Sequence, residues 1–315
     1  MTSSLGFVVK QSGMLSLIQD AGRFGYFNLG LTNGGPIDLY AFHWANRLCS
    51  NALNTTAIEI SIGGLMLTAQ VDSTIAVCGA NMPLTVNNQR KELWRSYHVK
   101  AGDTIELGIA SQGMRCYLAV TDGFIVPESF GSSATVCREA IGGLSGEKLK
   151  TGDMLPCVNQ TRKENLVLPE SLRPQYPNEA VLHTIPSYQY QRFSSHQQRL
   201  FYSSEYTVSK HFDRMGYRLS GKKIHCDIDG ILSEGICLGA VQIPSDGQPI
   251  VLLNDRQTIG GYPKIGAVSS VDTAKLGQLN QGSKVRFEPI SMEQAHNYFH
   301  LNLNRFDNIK PKVCD

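Results

Sequence analysis

Ile58-Glu59-Ile60-Ser61-Ile62-Gly63-Gly64-Leu65-Met66-Leu67-Thr68 is the stretch that decides the fold class. Its first run alternates isoleucine with a polar residue, the period of two that sends successive side chains to opposite faces of a strand. Gly63-Gly64 then marks a turn into a second short apolar run. Runs of the same kind recur at Phe7 to Val9, Thr74 to Val77, Leu84 to Val86, Thr104 to Leu107 and Cys116 to Val120. Each is bounded by Gly, Asn, Asp or Pro, so the chain reads as mainly β. Two helices interrupt it. After Gly34-Gly35-Pro36, the segment 38–48 places Leu39, Phe42, Ala45 and Leu48 on one stripe. Near the end, Ser291 and Gln294 form a capping-box pair, and Met292, Ala295 and Phe299 supply an apolar face expected to pack on the last barrel.

The chain has 315 residues, 42% hydrophobic, with a formal net charge of +2. That composition is globular, and so weak a net charge selects neither nucleic acid nor an anionic membrane as partner. Met1 to Gly6 carries no basic start or apolar leader, and no apolar run is long enough to span a bilayer, so a cytoplasmic location is expected. The eight cysteines are widely dispersed and read as buried free thiols. Pro156, Pro169, Pro174 and Pro177 stand among polar residues, which suits a linker over 158–178 between domains at 1–157 and 179–315. Ala101-Gly102-Asp103, Thr151-Gly152-Asp153 and Gln281-Gly282-Ser283 each put a glycine turn before a strand, a weak echo that suggests paired β-barrels.

Chemistry concentrates after Ser245-Asp246-Gly247-Gln248-Pro249, where the strand Ile250 to Leu253 delivers a polar loop. Asp255, Arg256, Gln257, Thr258 and Lys264 bring a carboxylate, a guanidinium, an amide, a hydroxyl and an ammonium together beside Gly260, Gly261 and Tyr262. Arg256 is suited to grip a carboxylate or phosphate bidentately, Lys264 adds a point charge, and the glycine amides allow close approach to an oxyanion. The plainer alternative is an exposed turn with a local Asp255–Arg256 charge pair. A Walker A order is absent.

A second cluster comprises Asp20 and Arg23 with Gly34-Gly35 ahead of the first helix, a place where exposed amides attract anions. The plainer reading is a glycine turn, Pro36 opening the helix and Asp38 offsetting its dipole. Glu59 points away from its isoleucine neighbours, into a barrel interior or solvent; if buried it needs a partner such as Arg23 or Arg47. His296 and His300 are spaced for zinc but lack a third ligand, so no metal is expected. Ser132 and Ser133 read as turn formers.

Together these segments carry a resemblance. It runs through Gly13 to Arg23, Ala45-Asn46-Arg47-Leu48, Ile58-Glu59-Ile60, Gly63-Gly64, Trp94-Arg95-Ser96, Tyr117 to Val120 and Phe130-Gly131-Ser132. In the second half it continues at Asp213 to Leu219, Ser233-Glu234-Gly235-Ile236 and Asp246 through Gly266. The chain resembles the family that contains the C-type subunit of 5-oxoprolinase (PxpC), the KipA regulator and the carboxyltransferase region, also called allophanate hydrolase subunit 2, of urea amidolyases. Phe24 stands where that family often has proline, and Asn33-Gly34-Gly35-Pro36 varies its usual turn.

The resemblance implies two cyclophilin-like β-barrel domains with a few short helices, and a subunit inactive without partners. Under the oxoprolinase reading these partners are a KipI-like B-type subunit and a LamB/YcsF-like A-type subunit, and ATP with Mg drives hydrolysis of 5-oxo-L-proline to L-glutamate. Arg256 and Lys264 would then bind carboxylate or phosphate, Asp255, Gln257 and Thr258 would orient substrate or water, and Glu59 or Glu234 would be the base. Asp20, Arg23, Gly34, Gly35, Gly247, Gln248, Gly260, Gly261 and Tyr262 complete the expected substrate or nucleotide contacts. The alternatives are a biotin-dependent carboxyltransferase component acting on urea or a similar amide, and a KipA-like regulator that binds a kinase inhibitor.

Overall fold

The computed structural model describes residues 5–228 and 230–314. The chain forms two compact units. The first comprises Met1–Arg23, Gly34–Tyr176 and Ile309–Asp315, and the second Phe24–Asn33 and Pro177–Asn308.

The first unit is built from a six-stranded and a five-stranded sheet. In the first sheet the spatial order is Met154–Pro156, Gly6–Ser12, Leu65–Ala69, Thr104–Leu107, Leu84–Val86 and Gln89–Lys91. In the second it is Leu15–Gln19, Ala57–Ser61, Gln112–Val120, Ser73–Asn81 and Ser96–Val99. Phe7, Val9, Leu65 and Leu67 from one sheet and Ile58, Ile60, Val77 and Leu118 from the other meet in one apolar core. Every residue of Ala57–Ser61 is buried, because helix α1 (Leu39–Leu48) covers the outer face of this sheet. Asp38 is its N-cap, accepting from Ala41 N at 3.1 Å, so the helix begins at Leu39 and not at Pro36. Phe42, Ala45 and Leu48 are buried, whereas Leu39 is exposed at the first turn.

Residues 158–176, expected as a linker, belong to the first unit. Leu168 is buried and its N–H donates to Trp94 O at 2.9 Å, while Asn165–Val167 pairs with Lys312–Cys314. The polar, proline-rich composition conceals these few apolar anchors.

The second unit is a closed barrel in the order Glu179–Pro186, Lys264–Val268, Ala240–Gln242, Ile250–Leu252, Gly216–Ser220, Glu205–Phe212 and Lys284–Pro289. Only the closing pair, Glu179–Pro186 with Lys284–Pro289, is parallel among the described strands. Helix α2 (Ser195–Ser203) lays Phe201 on Phe287, with ring centroids 4.5 Å apart. Helix α3 (Ser270–Gly277) presents buried Asp272, which accepts from His183 N at 2.9 Å and from Tyr298 of α4 (Met292–Asn308) at 3.2 Å.

The capping box of α4 closes reciprocally: Ser291 N donates to Gln294 Oε1 at 2.8 Å and Gln294 N to Ser291 Oγ at 3.1 Å. Its inward face differs from the one expected. Met292 and Phe299 are exposed, and the helix seats through Tyr298 and buried Phe306. Hydrogen bonding to Asp272, which a hydrophobic stripe does not register, sets the rotation.

The three glycine turns share one geometry. Gly102, Gly152 and Gly282 have φ of 98°, 96° and 88°. In each, the N–H three residues before the polar residue bonds its side chain: Lys100 to Asp103 at 2.8 Å, Lys150 to Asp153 at 2.7 Å, Asn280 to Ser283 at 3.2 Å. No disulfide joins the cysteines among the described residues, but Cys137 and Cys237 are exposed and Cys226 and Cys314 half-buried rather than buried. No helix among the described residues is long and apolar enough to cross a membrane.

Candidate active site

In the first unit the predicted residues are engaged by other groups of the protein. Asp20 Oδ1 accepts from Gly22 N at 2.8 Å and Ser132 Oγ at 2.6 Å, and Oδ2 from Ser133 N at 2.7 Å. Arg23 donates to the carbonyls of Ser129 at 2.9 Å and Ala134 at 3.1 Å. The amides ahead of α1 are likewise taken: Gly35 N by Gln19 Oε1 at 2.9 Å, Ile37 N by Glu59 Oε2 at 3.0 Å, Asp38 N by Tyr117 OH at 2.8 Å. Glu59 lies under α1, neither in the sheet-to-sheet core nor in solvent. It accepts from Tyr117 OH at 2.7 Å and has Arg115 Nε at 3.7 Å, in place of the Arg23 or Arg47 expected as its partner. Arg47 instead donates to Ile309 O at 3.1 Å.

Gly34 and Gly35 have φ of 61° and 81°, and a Cβ on Gly35 would stand 2.9 Å from Ala21 O. Gly35→Ala is therefore expected to cost about 1–3 kcal/mol in backbone strain, measured by urea denaturation of the purified chain. Unchanged stability would show that this turn has room to relax.

In the second unit the polar loop separates into a clamp and a cluster. Asp255 is buried and gripped bidentately by buried Arg214, Nε to Oδ2 at 2.9 Å and Nη2 to Oδ1 at 2.9 Å. Arg256, also buried, donates to Ile236 O at 3.0 Å, Leu253 O at 3.3 Å and Asn33 Oδ1 at 3.4 Å, with Phe27 beneath the guanidinium at 5.3 Å. Burial lowers the Arg256 pKa from its ordinary value, with Cys237 and Asp255 opposing the shift. The guanidinium expected to grip a ligand anion is thus engaged with carbonyl and amide oxygens of the protein, and no local Asp255–Arg256 bridge forms among the described ion pairs. Gly247, at φ 77°, accepts from Ile224 N at 2.9 Å, and Gln248 binds Gly221 through both amide atoms, so this pair fixes the 221–224 loop.

The cluster forms around Lys264 and Glu234. Strand Glu234–Gly235 pairs with Ile259–Gly260, setting Glu234 opposite Gly260, and the Lys264 ammonium forms an ion pair with the Glu234 carboxylate. Gln189 spans both partners: its Oε1 accepts from Lys264 N at 2.7 Å, and its Nε2 donates to Glu234 Oε1 at 3.0 Å. Tyr188 OH donates to the other carboxylate oxygen. Partial desolvation pushes the Glu234 pKa up, but hydrogen bonds from Lys264 and Tyr188 outweigh it and leave the carboxyl below its ordinary value.

One donor of this cluster lacks an acceptor and another has N–H groups to spare. Lys264 Nζ, on a side chain 6% exposed, reaches no acceptor other than Glu234 among the described residues, and Gln242 Nε2, 2% exposed, has no hydrogen-bond partner among them. Gln242 and Lys264 are paired on neighbouring strands. Gly260 lies against Gln242, since a Cβ there would fall 3.0 Å from Gln242 Nε2 and 2.5 Å from Ile236 Cδ1. Tyr262 stands half exposed nearby in sequence, and the side chains of Gln257 and Thr258 form no hydrogen bond within the described residues. A buried amide N–H without an acceptor and an ammonium with N–H groups to spare, beside a fixed carboxylate, suit a ligand that offers a carbonyl or carboxylate oxygen and an N–H.

Gln189, Tyr188 and Gln242 escaped sequence reasoning. The signal for Gln242 was available: an amide inside the apolar strand Ala240-Val241-Gln242-Ile243 is a buried polar group in need of a partner. Gln189 lies in a turn with no motif around it. His296 and His300, with Nε2 atoms 3.0 Å apart, sit on the exposed side of α4, and no group of three or more His, Cys, Asp or Glu placed to hold a metal ion occurs among the described residues.

Comparison with known proteins bears on this assembly. The family model for the carboxyltransferase domain, subdomain A and B, matches residues 29–289. The chain is 36% identical over 294 residues to the C-type subunit of 5-oxoprolinase from Haemophilus influenzae, covering 93% of this chain and 94% of that protein. It is 35% identical over 288 residues to the same subunit from Escherichia coli, covering 90% and 91%. Among solved structures, the K. lactis urea amidolyase matches with a TM-score of 0.90 at 26% identity, over 98% of this chain and 20% of that one. Fold, extent of match and identity agree, and the chain belongs to the carboxyltransferase-domain family that includes the C-type subunit of 5-oxoprolinase.

Proposed function

We propose that this chain is the C-type subunit of an ATP-dependent 5-oxoprolinase, acting in the cytoplasm in a complex with a KipI-like B-type partner and a LamB/YcsF-like A-type partner. The observation that carries the reading is the buried Gln242 Nε2, which has no acceptor among the described residues, together with a buried Lys264 ammonium whose acceptor there is Glu234 alone. The lactam of 5-oxoproline offers the complementary set. Its carbonyl oxygen accepts from Lys264 and Gln242, and its ring N–H donates to Glu234. As water adds to the carbonyl carbon, the C=O electron pair moves onto that oxygen and both contacts strengthen, the form of stabilisation expected to lower a barrier; the pair returns when the C–N bond breaks and the ring nitrogen leaves as the amine with a proton from the added water. The depressed Glu234 pKa suits an acceptor that orients the lactam better than a general base poised near neutrality.

The cluster does not fit a triphosphate. Its one ammonium is shared with Glu234, while the guanidiniums of Arg214 and Arg256 are committed to Asp255 and to carbonyls. No step is therefore assigned to ATP at these residues. The higher identity to the 5-oxoprolinase subunit, 36% against 26% for the K. lactis urea amidolyase, favours this reading over a biotin-dependent carboxyltransferase component. Co-expression with both partner subunits tests it: glutamate should form from 5-oxoproline only when ATP is present. A stable complex that yields none, or that carboxylates urea instead, refutes it.

The Glu234 contacts also predict a pH response. A carboxyl whose folded pKa lies below the ordinary 4.5 contributes its ion pair fully above that value and loses it as pH falls through the folded pKa. Substrate affinity of the complex is expected to be flat from about pH 6 to 8 and to fall only below about 4.5. Glu234→Gln should remove that acid limb, and an affinity lost already near pH 6 would contradict the assignment.

A further inference from the structure

The first unit holds a cavity of about 670 Å³, within the range of roughly 300–1,000 Å³ typical of small-molecule sites. It is unrelated to the Lys264 cluster. Backbone irregularities open it. Gly79, at φ 128°, makes a bulge where strands Ser73–Asn81 and Gln112–Val120 slip in register, and a Cβ at Gly79 would stand 2.3 Å from Arg115 O. Trp94, a bulky residue, is held at φ 63° in the left-handed region, a conformation that persists only where surroundings enforce it. Its N–H donates to Val77 O at 2.8 Å and its carbonyl accepts from Leu168 N at 2.9 Å, with the Tyr40 ring centroid 6.2 Å from its own.

Apolar surface and charge are segregated around this space. Met82, Leu84 and Trp94 are buried lining residues. Arg90 and Lys91 line it from one strand and Arg173 from the 168–176 run, against the carboxylates of Glu92 and Glu170. Arg173 is aimed by Nε donating to Leu168 O at 3.0 Å. Its Nη2 reaches Glu92 only at 3.9 Å, and Glu92 is 71% exposed, a weak pair that a ligand can replace. Its Nη1 has no partner among the described residues.

We propose that this cavity binds a small organic anion with an apolar body, its charge set against Arg173 and Arg90 and its body on Met82, Leu84 and Trp94. Two sources share that chemistry, a phosphate-bearing compound and a carboxylate or sulfonate monoanion. Isothermal titration of the purified chain with ADP, with 1-anilinonaphthalene-8-sulfonate and with inorganic phosphate separates them. At least one organic probe should saturate at one per chain, with inorganic phosphate at least about tenfold weaker for want of a body. ADP binding more tightly identifies the phosphate-bearing source, and the sulfonate binding more tightly the monoanionic one. Arg173→Glu should weaken the tighter probe at least about tenfold. Arg90→Glu, on an exposed side chain that leaves the fold undisturbed, should do so as well. Saturation by neither probe, phosphate binding as tightly as both, or indifference to both substitutions overturns the proposal.

Discussion

Lys264→Met in the assembled complex is expected to lower turnover of 5-oxoproline by at least about a hundredfold, the loss that follows removal of one donor to a developing oxyanion. The side chain is buried on the barrel strand Lys264–Val268, so methionine fills its volume while removing charge and donors together. The effect should fall mainly on kcat, because the lactam oxygen gains charge only as the nucleophile adds to the carbonyl carbon. Glu234 would remain held by Tyr188 and Gln189, which keeps the local backbone in place. Parallel assays of wild type and variant, with partner subunits recovered in equal amounts, give the comparison. Undiminished kcat would assign Lys264 to the fold.

Asp255→Ala is expected to cost about 3–5 kcal/mol, the penalty for leaving a buried guanidinium without its carboxylate. Arg214 and Asp255 are 5% and 6% exposed, so water does not compensate for the lost partner. The pairing also carries the loop that follows strand Ile250–Leu252, since Asp255 N donates to Arg214 O at 2.9 Å. The double substitution Arg214→Met with Asp255→Leu should recover most of the loss, because two apolar groups leave no charge stranded. Denaturant melts of the purified chain read both effects. A single substitution that costs under about 1 kcal/mol would place the pair among those that solvent screens.

Period-two runs such as Ile58-Glu59-Ile60 were enough to read a β protein, and Asp38 and Ser291–Gln294 marked the helix starts because caps are local chemistry. What lay on the far side of a strand was not local. Glu59 was expected to face away from the isoleucines, but that α1 roofs that face, and that Tyr117 and Ile37 N meet the carboxylate, are tertiary facts. The 158–176 run looked like a linker because a few anchors, Leu168 above all, decide its packing. At the candidate site the loop was found by its density of polar types, and composition cannot tell a guanidinium committed to carbonyls from one awaiting a ligand. Lys264 was singled out, whereas Gln189 and Gln242 come from strands and turns distant in sequence that only barrel closure brings alongside.

The proposed chemistry turns on where the lactam sits. A crystal structure of the assembled complex with 5-oxoproline bound tests this directly. The lactam oxygen is expected within hydrogen-bond distance of Lys264 Nζ and Gln242 Nε2, with the ring N–H on Glu234. Density for 5-oxoproline elsewhere in the complex, with Lys264 and Gln242 still facing no ligand, would contradict it.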